Sequence, residues 1–258
     1  MADGSDKRPS FTIERCKITD TNISGSNKTQ KSAISIDIQD NDFTLANNFI
    51  SGNRLGGIQA RLGRSDGTSL PRSLIYGNTF SSNANGTILI EGRTELKRSF
   101  SFVDIMNNVF ENNLGSASTI KLSEVQSEIV NNFFYNNSGL HTIMYNFSSK
   151  SPKGQRCELN TLYLNKGLGQ NYGVTIMSNG PMKYHRNNFK NPSNLYEFSS
   201  TSKAASDPID ATQNWWGVKR DSLVATRIYD KNDDFRLAAV EFKPFQKLPP
   251  RNVLSSKC

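Results

Sequence analysis

The chain has 258 residues, a formal net charge of +8 and a hydrophobic content of only 35%. Compact domains of this size usually reach roughly 45–50% apolar residues, glycine included, and the 18 glycines bring this chain only to the low forties, so the composition argues against one thick core and favours a fold that buries a narrow column. No apolar run reaches the roughly 18 residues of a membrane span, and none of the usual DNA- or RNA-reading motifs is present. The basic residues are scattered, as in Lys183, Arg186 and Lys190 or Lys243, Lys247 and Arg251. They read as solvated loops, and they leave room for an anionic partner such as an acidic glycan or a membrane surface.

Residues 1–10 are polar and charged and lack the apolar centre of a secretory leader, so they read as a disordered tail. Phe11-Thr12-Ile13 and Cys16-Lys17-Ile18 open a first coil, and residues 22–31 form a polar loop. Residues 33–38 alternate, with Ile34, Ile36 and Ile38 on one face and Ser35 and Asp37 on the other, which predicts a strand. A second coil runs through residues 45–50 and 58–62, followed by a loop at 64–71. The third coil takes residues 74–80 and 87–90. The fourth takes Val103-Asp104-Ile105, Asn107-Asn108-Val109-Phe110-Glu111-Asn112-Asn113 and Ile120-Lys121-Leu122. Residues 128–137 and 142–147 make the fifth. After a loop at 150–155, two more coils follow at 159–164 with 174–176, and at 182–189 with 195–198.

One phrase recurs through these coils: an asparagine, a variable residue, a large apolar residue, then a polar turn with another asparagine. Taking Asn47, Asn78, Asn108, Asn132, Asn160, Asn187 and Asn214 as its first letter gives gaps of about 31, 30, 24, 28, 27 and 27 residues, the mark of a solenoid. Cys16 takes the same slot in the first coil. No copy carries the L-x-x-L-x-L-x-x-N string of a leucine-rich repeat, and an antiparallel sandwich is the other all-β alternative. Short β-rich runs, Asn- and Gly-bearing turns and variable loops fit a parallel β-helix. Asparagine suits its turns because it tolerates the left-handed backbone and its amide can bond the asparagine of the next coil. The expected ladder is Asn78, Asn108, Asn132, Asn187 and Asn214, with Phe80, Phe110, Phe134 and Phe189 stacked inside.

The fold class expected is therefore all-β: a right-handed parallel β-helix of about eight coils over 11–206, a C-terminal cap over 207–250, and a tail over 251–258. In the cap, Asn214-Trp215-Trp216-Gly217 precedes a short helix predicted over 221–229 with Asp221 as its N-cap. Such a lid protects the open strand edge of a solenoid. Residues 1–10 offer no comparable cap, which leads us to expect coils or another domain upstream in a longer parent chain.

Chemistry-bearing residues are sparse. Cys16, Cys157 and Cys258 have no metal-ligand spacing, and stacked coils would hold Cys16 and Cys157 about 20 Å apart, so free thiols are expected. The acids Asp37, Asp40 and Asp42 sit where a turn favours aspartate. A carbohydrate-active β-helix needs converging carboxylates with an Arg or His; it gains if Asp37, Asp40, Arg61 and Arg93 meet in one cleft. His141 and His185 have no carboxylate beside them in sequence. Asp230-x-Asn232-x-Asp234 with Glu241 resembles a calcium loop but lacks its sixth-position glycine. No P-loop, G-x-S-x-G or H-E-x-x-H is present, so no catalysis, cofactor or metal is expected. Sequons stand at Asn22, Asn27, Asn85, Asn136 and Asn146 as glycosylation candidates.

The tail carries the most specific pattern. Asp210-Ala211-Thr212-Gln213-Asn214-Trp215-Trp216-Gly217, then Thr226-Arg227-Ile228-Tyr229-Asp230, Asp233-Asp234 and Phe242-x-Pro244-Phe245, resembles the end of a β-helix block in the bark beetle (Anakonda) family. These are large animal transmembrane proteins of tricellular junctions, and the asparagine-rich coils are similar too. The family's CUB-like and scavenger-receptor-like modules and its membrane span have no counterpart in these residues. The resemblance implies a non-catalytic extracellular module for cell adhesion at tricellular (septate) junctions, a rigid scaffold whose partners are other junction proteins or the rest of its parent chain. Acidic glycans are a further partner class, nucleic acid is not, and the membrane enters only through absent parts. The alternative is a carbohydrate-active β-helix, a lyase, a hydrolase or a glycan-binding module.

Overall fold

The computed structural model describes residues 10–21, 32–63, 72–93, 101–147, 155–169, 173–180, 182–203 and 206–250. The expected tails over 1–10 and 251–258, the loops at 22–31, 64–71 and 150–155, and the residues Asn22, Asn27 and Cys258 lie wholly or almost wholly outside that set.

Short apolar runs with β-branched and aromatic residues form strands, and each coil contributes one strand to each of three parallel sheets. Sheet A takes Phe11–Glu14, Phe43–Ala46, Arg72–Tyr76, Phe102–Met106, Gln126–Val130, Arg156–Glu158 and Lys183–His185. Sheet B takes the three-residue strands that follow them, from Lys17–Thr19 to Asn188–Lys190. Sheet C has eight strands, from Ile34–Gln39 to Tyr196–Ser200 and then Ile228–Tyr229 from the cap. The result is an all-β parallel solenoid of seven rungs, six turns from first to last, where eight coils were expected; the phrase at Asn214 starts the cap instead of another full rung.

Strict register turns sequence repetition into columns. Inside sheet C, Ile34, Ile58, Ile88, Ile120, Ile143 and Ile176 stack in line, continued by Phe198 and Ile228. Inside sheet A, Leu45, Ile75, Ile105, Ile129, Cys157 and Tyr184 do the same. In sheet B, Phe80 stacks on Phe110 with ring centroids 4.9 Å apart, and Phe110 on Phe134 at 4.7 Å. These side chains are buried. A bore this narrow explains the low apolar content, because each rung needs only a few large residues to fill it.

The C-terminus departs from the coil plan. Trp216 is buried and stacks on Phe189 at 5.0 Å, closing the aromatic column of sheet B. Trp215 is half-buried and instead pairs across from Asn188 on the outside of that sheet. The helix α1 spans only Asp221–Ala225, with Arg220 at its N-cap. Asp221 was expected at that cap and the helix as far as 229. The carboxylate of Asp221 turns instead to Lys243, 2.9 Å away, and Lys247, 3.4 Å away, and the chain leaves the helix early to give the eighth strand of sheet C.

Candidate functional site

From the second coil onward, the corners that follow sheet A obey one rule. The residue before each corner position is left-handed: Asn47, Gly77, Asn107, Asn131, Leu159, Arg186 and Gln213 have φ between 54° and 65°. The next residue is a buried asparagine, namely Asn48, Asn78, Asn108, Asn132, Asn160, Asn187 and Asn214. In coil two the ladder residue is thus Asn48, and Asn47 is the left-handed residue before it. The first letter of that phrase was misplaced by one because two asparagines adjoin, and the true spacings are 30, 30, 24, 28, 27 and 27 residues.

Every ladder member bonds in the same way. The Oδ1 of Asn132 accepts from the backbone N–H of Asn108 at 2.9 Å and from its Nδ2 at 3.0 Å. The Nδ2 of Asn132 donates to the carbonyl of Ile105 at 2.8 Å and to Asn160 Oδ1 at 3.0 Å. Cys16 begins the ladder by donating its N–H to Asn48. Asn214 ends it by donating to the carbonyls of Tyr184 and Ala211. Buried backbone groups at a corner cannot use the sheet, so the amides satisfy them.

A second ladder lines the corner after sheet B: Asn53, Asn83, Asn113, Asn137, Asn165 and Asn191, with side-chain bonds of 2.8–3.1 Å. Its upper end is a buried carboxylate. Glu197 accepts from the N–H and Nδ2 of Asn191, from the Thr175 hydroxyl at 2.7 Å and from Arg227 at 2.9 Å. Arg227, which enters from the cap, also donates to the carbonyls of Asn191 and Asn194. The repeating phrase carried the signal for this ladder in its trailing asparagine; the Glu197–Arg227 clasp left none, since neither residue repeats.

The outer face of sheet A carries a chain of opposed charges. Arg72 meets Asp104 at 2.7 Å and Glu128 at 3.0 Å, and Glu128 also meets Arg156 at 2.7 Å. Burial works against the Glu128 carboxylate, but hydrogen bonds from Arg156 and Arg72 hold it below its usual range. Toward the cap, Glu158 lies 3.5 Å from Arg186 and 3.8 Å from His185 Nδ1, while His185 Nε2 reaches Asp210 at 2.7 Å and the Thr212 hydroxyl at 3.2 Å. Stacking therefore places two carboxylates against a histidine that has none near it in sequence. Burial opposes ionisation of Asp210, and its bonds from His185 and Thr212 keep the carboxyl below its ordinary value. The other histidine, His141, is buried with its Nδ1 3.3 Å from Ser118 Oγ, and desolvation pushes it down to about 4.

Three of the four residues whose meeting would favour the enzyme alternative, Asp37, Arg61 and Arg93, lie together on one face. Asp37 lies on a strand, not in a turn, and pairs with Arg93. Arg61 stands next to it in register and lies 3.9 Å from Glu91. Asp37, Arg61 and Arg93 thus share the outside of sheet C as a crossed ladder of charges. Asp40 is in the following turn with φ 58°. Asp230 is buried and accepts from Asn232 and from the Val240 N–H, so its carboxylate shapes a cap loop. Among the described residues no group of three His, Cys, Asp or Glu could hold a metal ion, and no helix is long and apolar enough to cross a membrane. Of the sequons, Asn85 and Asn136 are exposed and Asn146 is half-buried at the end of a strand.

Parallel rungs, two internal asparagine ladders and a tryptophan-and-helix cap define the class: a laddered, capped β-solenoid. Within that class, the chain is similar in sequence to a much longer protein. It is 28% identical to Protein bark beetle of Drosophila melanogaster over 91% of its own length, and it spans 8% of that relative. No family profile matches the chain. No solved structure matches it.

Proposed function

We propose that this chain is a non-catalytic, extracellular β-helix module of a bark beetle-like cell-adhesion protein, a rigid scaffold for protein interaction at tricellular junctions. The observation that carries the reading is the pair of ladders. Five consecutive steps locked at both corners by buried amide bonds make a stiff body that fixes the spacing of its outer faces. At about 4.8 Å per step, the rungs span roughly 29 Å. The charged face of sheet A then offers a pattern of fixed period to a partner, and such surfaces favour specificity over raw affinity. Its acids are already opposed by arginines, an arrangement suited to recognition more than to proton transfer.

Two measurements test this. The full-length protein with this block replaced by an unrelated solenoid of equal length should fail to gather at the corners where three cells meet, while the intact protein gathers there. Incubated with acidic polysaccharides and calcium, the chain should release no unsaturated sugar. Product release would overturn the scaffold in favour of the carbohydrate-active alternative, and normal gathering of the replaced protein would show the block to be a passive spacer.

A further inference from the structure

Among the described residues, outside the ladders and the charged face, a stretch of surface is both aromatic and concave. In sheet B the middle residue of each strand points inward, so its two flanking residues form columns on the outside. One column reads Glu111, Tyr135, Tyr163 and Lys190 in register. The other reads Val109, Phe133, Thr161 and Asn188, and Trp215 follows opposite Asn188. Tyr135 stacks on Tyr163 with centroids 5.9 Å apart, and the Lys190 ammonium lies 5.2 Å from the Tyr163 ring. Beyond Lys190 the column reaches Gly217, whose backbone runs so close that a β-carbon would come within 3.1 Å of the Phe189 carbonyl. With no side chain there, the face sinks into a cavity of about 490 Å³ bounded by Tyr163, Lys190 and Trp215, with Thr161 and Asn188 in its floor and Pro249 at its rim.

We propose that this hollow binds an acidic saccharide, a pyranose bearing a carboxylate or sulfate. A pyranose has an apolar C–H face and a polar edge, which is what a half-buried tyrosine and tryptophan beside a threonine hydroxyl and an asparagine amide can meet together. Lys190 sets the sign of the ligand's charge and Glu111 sets its direction. The acid stands two rungs from Tyr163, roughly 10 Å away, so the anionic group faces the cap end. The net charge of +8 adds long-range attraction for such a polymer. The inference rests on the non-catalytic reading only in that the sugar is held and not cleaved.

Trp215 and Trp216 are the two tryptophans of the chain, and only Trp215 borders the hollow, so tryptophan emission reports on the site. Titration with oligosaccharides of hyaluronan, which carry carboxylates, and of heparin, which carry sulfates as well, should give a saturable change with at least one of them. Lys190→Gln and Tyr163→Ala should each weaken that binding about tenfold or more, and neutral cello-oligosaccharides should bind at least tenfold more weakly. Lys190 is exposed, so its variant tests the site without burdening the fold. Hyaluronan alone would identify a carboxylate ligand, and heparin alone a sulfate one. No saturable change, equal binding by both variants, or equal affinity for the neutral sugar would overturn the proposal. Those outcomes would leave the scaffold standing, since it is tested by junction localisation and by turnover.

Discussion

At the scale of single residues, two asparagines four positions apart should respond very differently to substitution. Asn132 is fully buried, and its removal strands the Asn108 N–H and the Ile105 carbonyl inside the fold. Asn132→Ala should lower the unfolding free energy by about 2–6 kcal/mol, from about 1–3 kcal/mol for each of the two groups left unsatisfied. Asn136 is exposed, has φ 50°, and its side chain donates to Asn112 Oδ1 at 2.8 Å. Asn136→Gly keeps the left-handed backbone and should stay within about 0.5 kcal/mol of the parent. Urea denaturation of both checks this, and equal losses would remove the ladder as the source of stability. The thiols separate in the same way. Cys157 is buried in the isoleucine column of sheet A, where desolvation pushes its thiol far up, whereas Cys16 is exposed. A thiol reagent should label Cys16 at once and Cys157 only as fast as the chain opens. That these residues repeat was legible in the sequence, because the ladder needs a short amide that both accepts and donates. Which of Asn47 and Asn48 belongs to it was not, since both halves of the corner accept the same residue type.

At the scale of elements, the strand His141–Asn146 carries a pH dependence. An unfolded histidine titrates near 6.5, and burial lowers His141 to about 4. Above pH 6.5 both states are neutral and the stability is complete. As pH falls from 6.5 toward 4 the unfolded chain gains a proton that the folded chain refuses, so stability is lost by on the order of 3 kcal/mol. Below about 4 this group contributes no further slope. Unfolding midpoints at pH 7.5, 5.5 and 4.5 should therefore descend, and His141→Gln should flatten the descent; an unchanged slope would assign it to other groups. Strands were the most legible elements, because Ile34, Ile36 and Ile38 or Val103 and Ile105 alternate with period two. The cap was the least legible. Its helix is a single turn that ends where Arg227 must reach Glu197 at 2.9 Å, and a contact across 30 positions outweighs the local preference to continue the helix.

At the scale of the whole molecule, each rung touches only the rungs above and below it, so stability should be nearly one-dimensional. The pairing bears this out: Phe80 meets Phe110 and Phe110 meets Phe134, and sheet partners are always consecutive coils. A defect must then spread along the stack and not through a common core. Trp216→Ala removes a buried ring from the end of the aromatic column, a loss of about 3–5 kcal/mol by the usual large-to-small range. That deficit should fall on the last rungs. Hydrogen exchange should quicken in Asn188–Lys190, Tyr196–Ser200 and Ile228–Tyr229, while Phe43–Ala46 and Ile58–Gly63 keep the protection of the parent. Asn108→Ala, placed mid-stack, should instead weaken the joint between the third and fifth rungs and split one unfolding transition into two. Uniform loss of protection in both variants would mean that the two asparagine ladders couple all rungs into a single cooperative unit. A scaffold built that way would have no weak joint, and its outer faces would keep their spacing until the whole chain unfolded.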